Sequence, residues 1–305
     1  MNPTFEWGLD FMRALQQAFG ATGVDLAQVF TFMGNQEFYL LLFPLLFWCI
    51  DGAVGARVTI LYLLSVVLNV NIKDAVAQPR PYQFDPAIAQ VDPAGDYIYG
   101  EGYGMPSGHA QWSITIWGAL AAWVKRGWFW ATAAVLVLLI GLSRLVLGLH
   151  FPTQVLAGWG IGAVVIVVYL ALMMPIERWL ETLRLEWQML LAVMLPLGLL
   201  LIHPVADTIA AMAVLIGLGV GLALTHRFIS YSVNGAWPQR AARYVVGIVV
   251  LLAIYLGLSA IFPGEGEPLY IQLRFVRYTL MGLWISYGAP WLFTRIRLAP
   301  IVEPA

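Results

Sequence analysis

Apolar stretches of about twenty residues follow one another along this chain with little between them, which leaves few folds open. A helix that crosses a bilayer needs about 20 mostly apolar residues, because hydrocarbon offers its backbone no partner outside the segment. Nine such stretches are read, at 29–50, 55–77, 108–124, 128–148, 153–174, 187–203, 207–226, 242–262 and 273–294. Asn35, Gln36 and Glu37 interrupt the first, the third is short, and Arg274 and Arg277 lie near the start of the last. Composition agrees: 61% of the 305 residues are hydrophobic and 11% charged, against about 45–50% and about 25% in soluble domains. A water-soluble enzyme is excluded. The expected fold is all-α, a polytopic helical membrane protein of about nine spans. Residues 1–25 read as an N-terminal interfacial segment, 26–175 as a core, and 176–305 as a C-terminal four-helix extension.

The first twenty residues lack the basic region and apolar run of a cleavable signal. Phe5, Leu9, Phe11, Met12, Leu15 and Phe19 predict an amphipathic helix lying at the interface. The single cysteine, Cys49, sits in an apolar run and permits no intramolecular disulfide. Cationic residues set the orientation. Connections after odd-numbered spans hold Arg57, Lys125, Arg126, Arg178, Arg184, Arg227, Arg240, Arg243, Arg295 and Arg297, ten of the sixteen Lys and Arg. The other side holds Arg13, Lys73, Arg80, Arg144, Arg274 and Arg277. The expected topology is N-terminus out and C-terminus in, in an inner or plasma membrane.

Three short motifs fall on the outer face of that topology. Lys73 and Arg80 are seven residues apart, two helical turns, although Pro79 and Pro81 predict that the helix breaks there. Pro106-Ser107-Gly108-His109 opens a span, so His109 meets a helix N-terminus, where anions bind readily. Ser143-Arg144 and His150 lie between two spans, with Pro152 suited to the first turn of the next. Each piece alone has an ordinary reading: a snorkelling lysine, a headgroup contact, a satisfied interfacial histidine. Together they supply three cations, two histidines and two helix N-termini, about what a phosphate dianion needs in a poorly hydrated site. Two histidines there suggest a nucleophile and a general acid. Two histidines without a carboxylate or thiolate fall short of a zinc ligand set.

The motifs resemble those of the type-2 phosphatidic acid phosphatase superfamily: Lys-x6-Arg-Pro, Pro-Ser-Gly-His and Ser-Arg-x5-His-x3-Asp. The likeness covers 73–154, roughly a quarter of the chain. It implies a helical core and hydrolysis through a phosphohistidine, with no metal and no cofactor. By position, His150 is the implied nucleophile and His109 the implied acid. Lys73, Arg80, Ser107, Gly108 and Arg144 are the implied ligands of the phosphoryl oxygens.

Gln154 departs from the pattern, standing where the family has Asp. Three readings are open: a weakened enzyme, replacement of the carboxylate by a backbone carbonyl or Asp74, or a Gln154 that only caps its helix. His150-Phe151-Pro152-Thr153-Gln154-Val155 is also similar to the glucose-6-phosphatase branch, which has Gln there and extends past the third motif. That likeness favours a branch feature over a lesion.

The expected function is an integral-membrane phosphatase for a lipid phosphate or pyrophosphate, working at the extracytoplasmic face. A sugar-phosphate phosphatase and a non-catalytic phosphate-ligand transporter or binding protein are the alternatives. Expected partners are that substrate and membrane lipids, not nucleic acid. The last four spans are open to packing, shaping lateral access or forming a homo-oligomer. The 78–107 connection, with Asp85, Asp92, Asp96 and Glu101 among its tyrosines, reads as a polar lid. Glu265, Glu267, Arg274 and Arg277 read as ordinary surface charge, His203 and Asp207 as capping or packing.

Overall fold

The computed structural model describes residues 3–91, 102–229 and 231–300. Helices are α1 (Pro3–Phe32), α2 (Gln36–Leu45), α3 (Gly52–Val76), α4 (Pro81–Phe84), α5 (Gly108–Val124), α6 (Gly127–Val146), α7 (Pro152–Glu181), α8 (Leu185–Leu200), α9 (Ala206–Phe228), α10 (Trp237–Leu252), α11 (Leu258–Ile261), α12 (Tyr270–Leu283) and α13 (Ala289–Arg295). No strand occurs among the described residues, in line with the all-α expectation. The chain divides into two compact units: 1–39 with 64–172, and 40–63 with 173–305.

The first unit holds all three motifs. α3 stops at Val76, as Pro79 and Pro81 predict, and Ala77 turns the chain through a left-handed φ of 49°. Lys73 and Arg80 are therefore not on one helix. The start of α5 is held against α7 by two glycines four residues apart. A Cβ at Gly158 would come 2.5 Å from the Ser107 carbonyl oxygen, and one at Gly162 would come 2.6 Å from that of Gln111. Small residues at this spacing let membrane helices approach backbone to backbone. A buried amide joins α3 to α5: Gln111 accepts from Asn69 Nδ2 at 2.8 Å and donates to Ser65 Oγ at 2.9 Å. In hydrocarbon such groups need partners inside the protein.

α1 is more than an interfacial helix. Its Leu9 and Met12 are buried in the core of the first unit beside Leu145, Val146 and Phe151, and Phe5 stacks on Phe151 at 4.9 Å. Gln16 Nε2 donates to the carbonyls of Ile88 and Val146, both at 2.8 Å. Arg13 donates to Asp85 at 2.8 Å and holds that carboxylate below its ordinary range. Amphipathicity predicted an apolar face but not what covers it.

In the second unit α9 and α12 meet through Gly217 and Gly282, each facing backbone of the opposite helix. Trp48 is fully buried and donates from Nε1 to the Ile285 carbonyl at 2.9 Å. Arg243 is also fully buried, and its Nη atoms donate to the carbonyls of Trp48, Ser232, Val233 and Asn234. Three π-helical turns fall at Leu46–Ile50, Ala253–Gly257 and Trp284–Gly288.

Five stretches are long and apolar enough to cross a membrane: Gly52–Phe84, Gly127–Val146, Pro152–Glu181, Ala206–Phe228 and Trp237–Ile261. Pro3–Phe32 and Gln36–Ile50, bent by 48°, make a sixth if taken as one broken span. The count of nine read from hydropathy is not reached on these terms. The span expected over 29–50 breaks at 33–35, where Asn35 lies in the turn. Residues 108–124 form a 17-residue helix, and 187–203 becomes the 16-residue α8. The stretch at 273–294 carries Arg274 and Arg277 into α12.

Gly158→Ala is expected to lower the thermal unfolding midpoint in neutral detergent, at a cost of about 1–3 kcal/mol from forced separation of α5 and α7. Gly160→Ala, where a Cβ meets nothing within 4 Å, should leave it unchanged or slightly raised. Equal midpoints for the two variants would contradict the close approach.

Candidate active site

In the described parts of the first unit the motif residues are buried, and Arg80 meets His150 while Arg144 meets His109. Lys73 ends α3, and Arg80 precedes α4 in extended conformation. Ser107 is the N-cap of α5, with Gly108 and His109 as its first residues. Arg144 lies in the last turn of α6 and Gln154 in the first turn of α7, with His150 between them. Lys73, Arg80, Arg144 and His150 are each no more than 2% exposed, and Ser107 and Gln154 are fully buried. Asp74 follows Lys73 and is part-exposed.

Gln154 sits at the centre of the hydrogen bonding around His150. Its Oε1 accepts from the Phe151 backbone N–H at 3.1 Å and lies 3.2 Å from His150 Nδ1. Its Nε2 donates to the Pro79 carbonyl at 2.8 Å and to Gln78 Oε1 at 2.9 Å. An N–H can only donate and a carbonyl can only accept, so these backbone partners fix which way the amide points. With Oε1 facing the ring, Nδ1 carries the proton and Nε2 is left with its lone pair outward. The other side of the ring agrees: Arg80 Nη1, a pure donor, is 3.4 Å from His150 Nε2. Arg80 is itself anchored, its Nε donating to the carbonyls of Gly102 at 2.9 Å and Tyr103 at 3.1 Å. A Cβ at Gly104 would run into the Gln154 amide, so the loop passes this point only as glycine.

His109 is framed by residues the motifs did not include. Its Nε2 lies 2.8 Å from Asn35 Oδ1, in the turn between α1 and α2. The Asn35 oxygen suits an Nε2 that carries the proton, whereas an arginine donor suits one that does not. Arg144 Nη1 is 3.5 Å from the same nitrogen and also donates to Thr31 Oγ1. Gly34 lies flat against the ring: a Cβ there would come 2.5 Å from His109 Cδ2. Asn35, Gln36 and Glu37 were visible only as polar residues interrupting an apolar run. That interruption was the signal, and without a partner in view it read as an insecure span.

Asp85 pairs with Arg13, a tether rather than a ligand contact. Asp92, Asp96, Tyr97, Tyr99 and Glu101, read as a polar lid, lie outside the described residues. Among the described residues no group of three or more His, Cys, Asp or Glu side chains is placed to hold a metal.

Residues 55–178, which include every motif residue, match the family described as PAP2 superfamily. Residues 209–300 match the PAP2 superfamily phosphatase transmembrane extension. The chain belongs to the PAP2 superfamily. It is 28% identical over 175 residues to sphingosine-1-phosphate phosphatase 1 of Mus musculus, covering 55% of this chain and 39% of that one. It is 31% identical over 112 residues to an undecaprenyl-diphosphatase of Sulfolobus acidocaldarius, covering 36% and 50%. Lipid phosphate phosphatase delta of Arabidopsis thaliana is 29% identical over 144 residues, covering 44% and 34%. The chain thus spans half or less of the length of each of these relatives. No solved structure matches. The PAP2 match begins after Thr31 and Asn35, so the contacts to Arg144 and His109 come from outside it.

The cluster is expected to hold a phosphate-like anion. Arg144→Met should weaken the binding of orthovanadate to the purified protein by about 10- to 100-fold, the value of one charge-assisted hydrogen bond in a dry site. Calorimetric titration of both forms measures this. Equal affinities would remove Arg144 from the site.

Proposed function

We propose that this chain is an integral-membrane phosphatase that hydrolyses a lipid phosphate or pyrophosphate through a phosphohistidine, at the extracytoplasmic face. The observation that carries the reading is the orientation of His150, with Nδ1 on Gln154 Oε1 and Nε2 turned to Arg80 Nη1. In the first step the Nε2 lone pair attacks phosphorus and the bond to the leaving oxygen breaks. His109 delivers its Nε2 proton to that oxygen. In the second step His109, now a base, takes a proton from water as the water oxygen attacks phosphorus. The P–N bond breaks, inorganic phosphate leaves, and both histidines return to their starting states. Lys73, Arg80, Arg144 and the N–H groups that open α5 stabilise the charge spread over the equatorial oxygens. The positive groups are part of the protein, so the reaction is read as metal-independent.

A lipid substrate is supported by what the relatives are named for. It is also supported by an apolar cavity of about 440 Å³ between α5, α6 and α7, lined by Ile114, Gly118, Ala133, Val137, Trp159 and Ile166. None of the motif residues lines it, but the same three helices carry His109, Arg144 and Gln154. The extracytoplasmic placement rests on the nine-span reading of the sequence, which puts the excess of cations on the other side.

Phosphate release should survive EDTA and be lost in His150→Ala. It should be faster on phosphatidate, phosphatidylglycerol phosphate or a polyprenyl diphosphate than on glucose 6-phosphate. Preference for the sugar phosphate would favour the alternative that Gln154 suggests. Vanadate binding without any turnover would make the chain a binding protein.

Gln154 allows a sharper test. Its Nε2 faces two acceptor oxygens, so a carboxylate here would confront them both. Gln154→Glu is expected to lower kcat by about 10- to 100-fold, like Gln154→Ala. A fully active Gln154→Glu would show that the amide is a stand-in for the family carboxylate.

Asn35 is expected to act on the leaving group. Asn35→Ala should lower kcat on an alkyl phosphate by about tenfold or more and barely change it on p-nitrophenyl phosphate, whose leaving group needs no proton. An equal loss on both would mean a structural role only.

A further inference from the structure

α12 carries Arg274 and Arg277 one turn apart, and the surface role expected of them does not hold. Arg277 is 8% exposed, and its guanidinium lies over the rings of Tyr278 at 5.1 Å and Tyr255 at 5.5 Å. Arg274 packs over Tyr278 and Tyr270, donates to the Tyr270 hydroxyl at 2.8 Å and comes within 3.6 Å of the Asp207 carboxylate.

The two deeply buried arginines of this unit are treated differently. Arg243 is surrounded by peptide carbonyls, which take up its Nη donors. The buried Nε lacks a hydrogen-bond partner in both, but Arg277 has ring faces in place of carbonyls and, among the described residues, no carboxylate at ion-pair distance. A charge within a membrane bundle is expensive unless paired. Aromatic faces offset part of that cost and leave the edge of the guanidinium, where its N–H groups point, unused. Tyr255 lies on the π-helical turn Ala253–Gly257, an irregularity often found at functional positions. The cluster therefore offers five N–H donors on Arg277, with a second guanidinium one turn away and phenol rings as walls. Its single carboxylate, Asp207, is drawn to Arg274. A set this rich in donors and poor in acceptors suits an anion.

We propose that Arg277, with Arg274 beside it, forms a second anion site in the transmembrane extension, for the phosphate group of a membrane lipid or for free phosphate. The planar guanidinium fork matches two phosphate oxygens, which an ammonium cannot do. The proposal does not depend on the catalytic reading, because its residues lie in the second unit and the motif residues in the first.

The test is thermal unfolding of the purified full chain in neutral detergent, with phosphatidylglycerol, phosphatidylcholine or inorganic phosphate added. The wild type, Arg277→Gln and Arg277→Lys are compared, so any contribution of the motif cluster is common to all three. At a large excess of the right probe the wild-type midpoint should rise by about 5 °C or more. The rise should disappear in Arg277→Gln and be clearly smaller in Arg277→Lys. A rise with phosphatidylglycerol alone identifies an anionic lipid, one with both lipids a general headgroup phosphate, and one with inorganic phosphate a free anion. Equal rises in wild type and Arg277→Lys, or no rise with any probe, would overturn the proposal; the lysine form decides if Arg277→Gln does not fold. Phosphate release by the same preparations tests the catalytic reading separately.

Discussion

Like charges confined in a dry place repel, and the motif cluster confines Lys73, Arg80 and Arg144 where almost no water reaches. The rest of the first unit is arranged around that constraint. Carbonyls of Gly102 and Tyr103 hold Arg80, and Thr31 holds one arm of Arg144. These carbonyl and hydroxyl partners are uncharged, and they fix where the guanidiniums point. Gln154, where the family pattern has Asp, also brings no charge: His150 is met by an amide whose direction the backbone dictates.

Much of the site was legible because its chemistry is concentrated in short segments. Lys73, Arg80, Ser107, Gly108, His109, Arg144 and His150 could be named from their motifs, and among them Arg80 meets His150 and Arg144 meets His109. The break after α3 was also readable, since Pro79 and Pro81 act locally. Gln154 was readable as a departure but not as a solution. Choosing among its readings needed the Phe151 N–H and the Pro79 carbonyl, backbone groups that carry no sequence signal. Thr31 and Asn35 were illegible for a different reason: they reach Arg144 and His109, respectively, across 113 and 74 residues of chain.

The membrane reading shows the limits of hydropathy in a similar way. An apolar window reports that a segment can be buried, not that lipid is what buries it. Residues 108–124 are apolar because α5 lies inside the first unit, with His109, Ala110, Gln111 and Trp112 all buried. Arg274 and Arg277 show the converse. Charge near the start of an apolar run reads as interfacial, yet aromatic side chains from Tyr255, Tyr270 and Tyr278 draw both guanidiniums into the protein.

The turn between α1 and α2 has a consequence for how such a chain can diverge. The motif residues and the residues that contact His109 and Arg144 from α1 and the turn after it are drawn from different stretches, and only the former lie inside the PAP2 match. The motif segment is therefore not a self-sufficient cassette. A chimera that keeps 55–178 and borrows its amino-terminal helices from another source would inherit the machinery with a foreign hand on His109. Substitutions around residues 31–35 change the surroundings of His109 and Arg144 and leave all three signatures untouched.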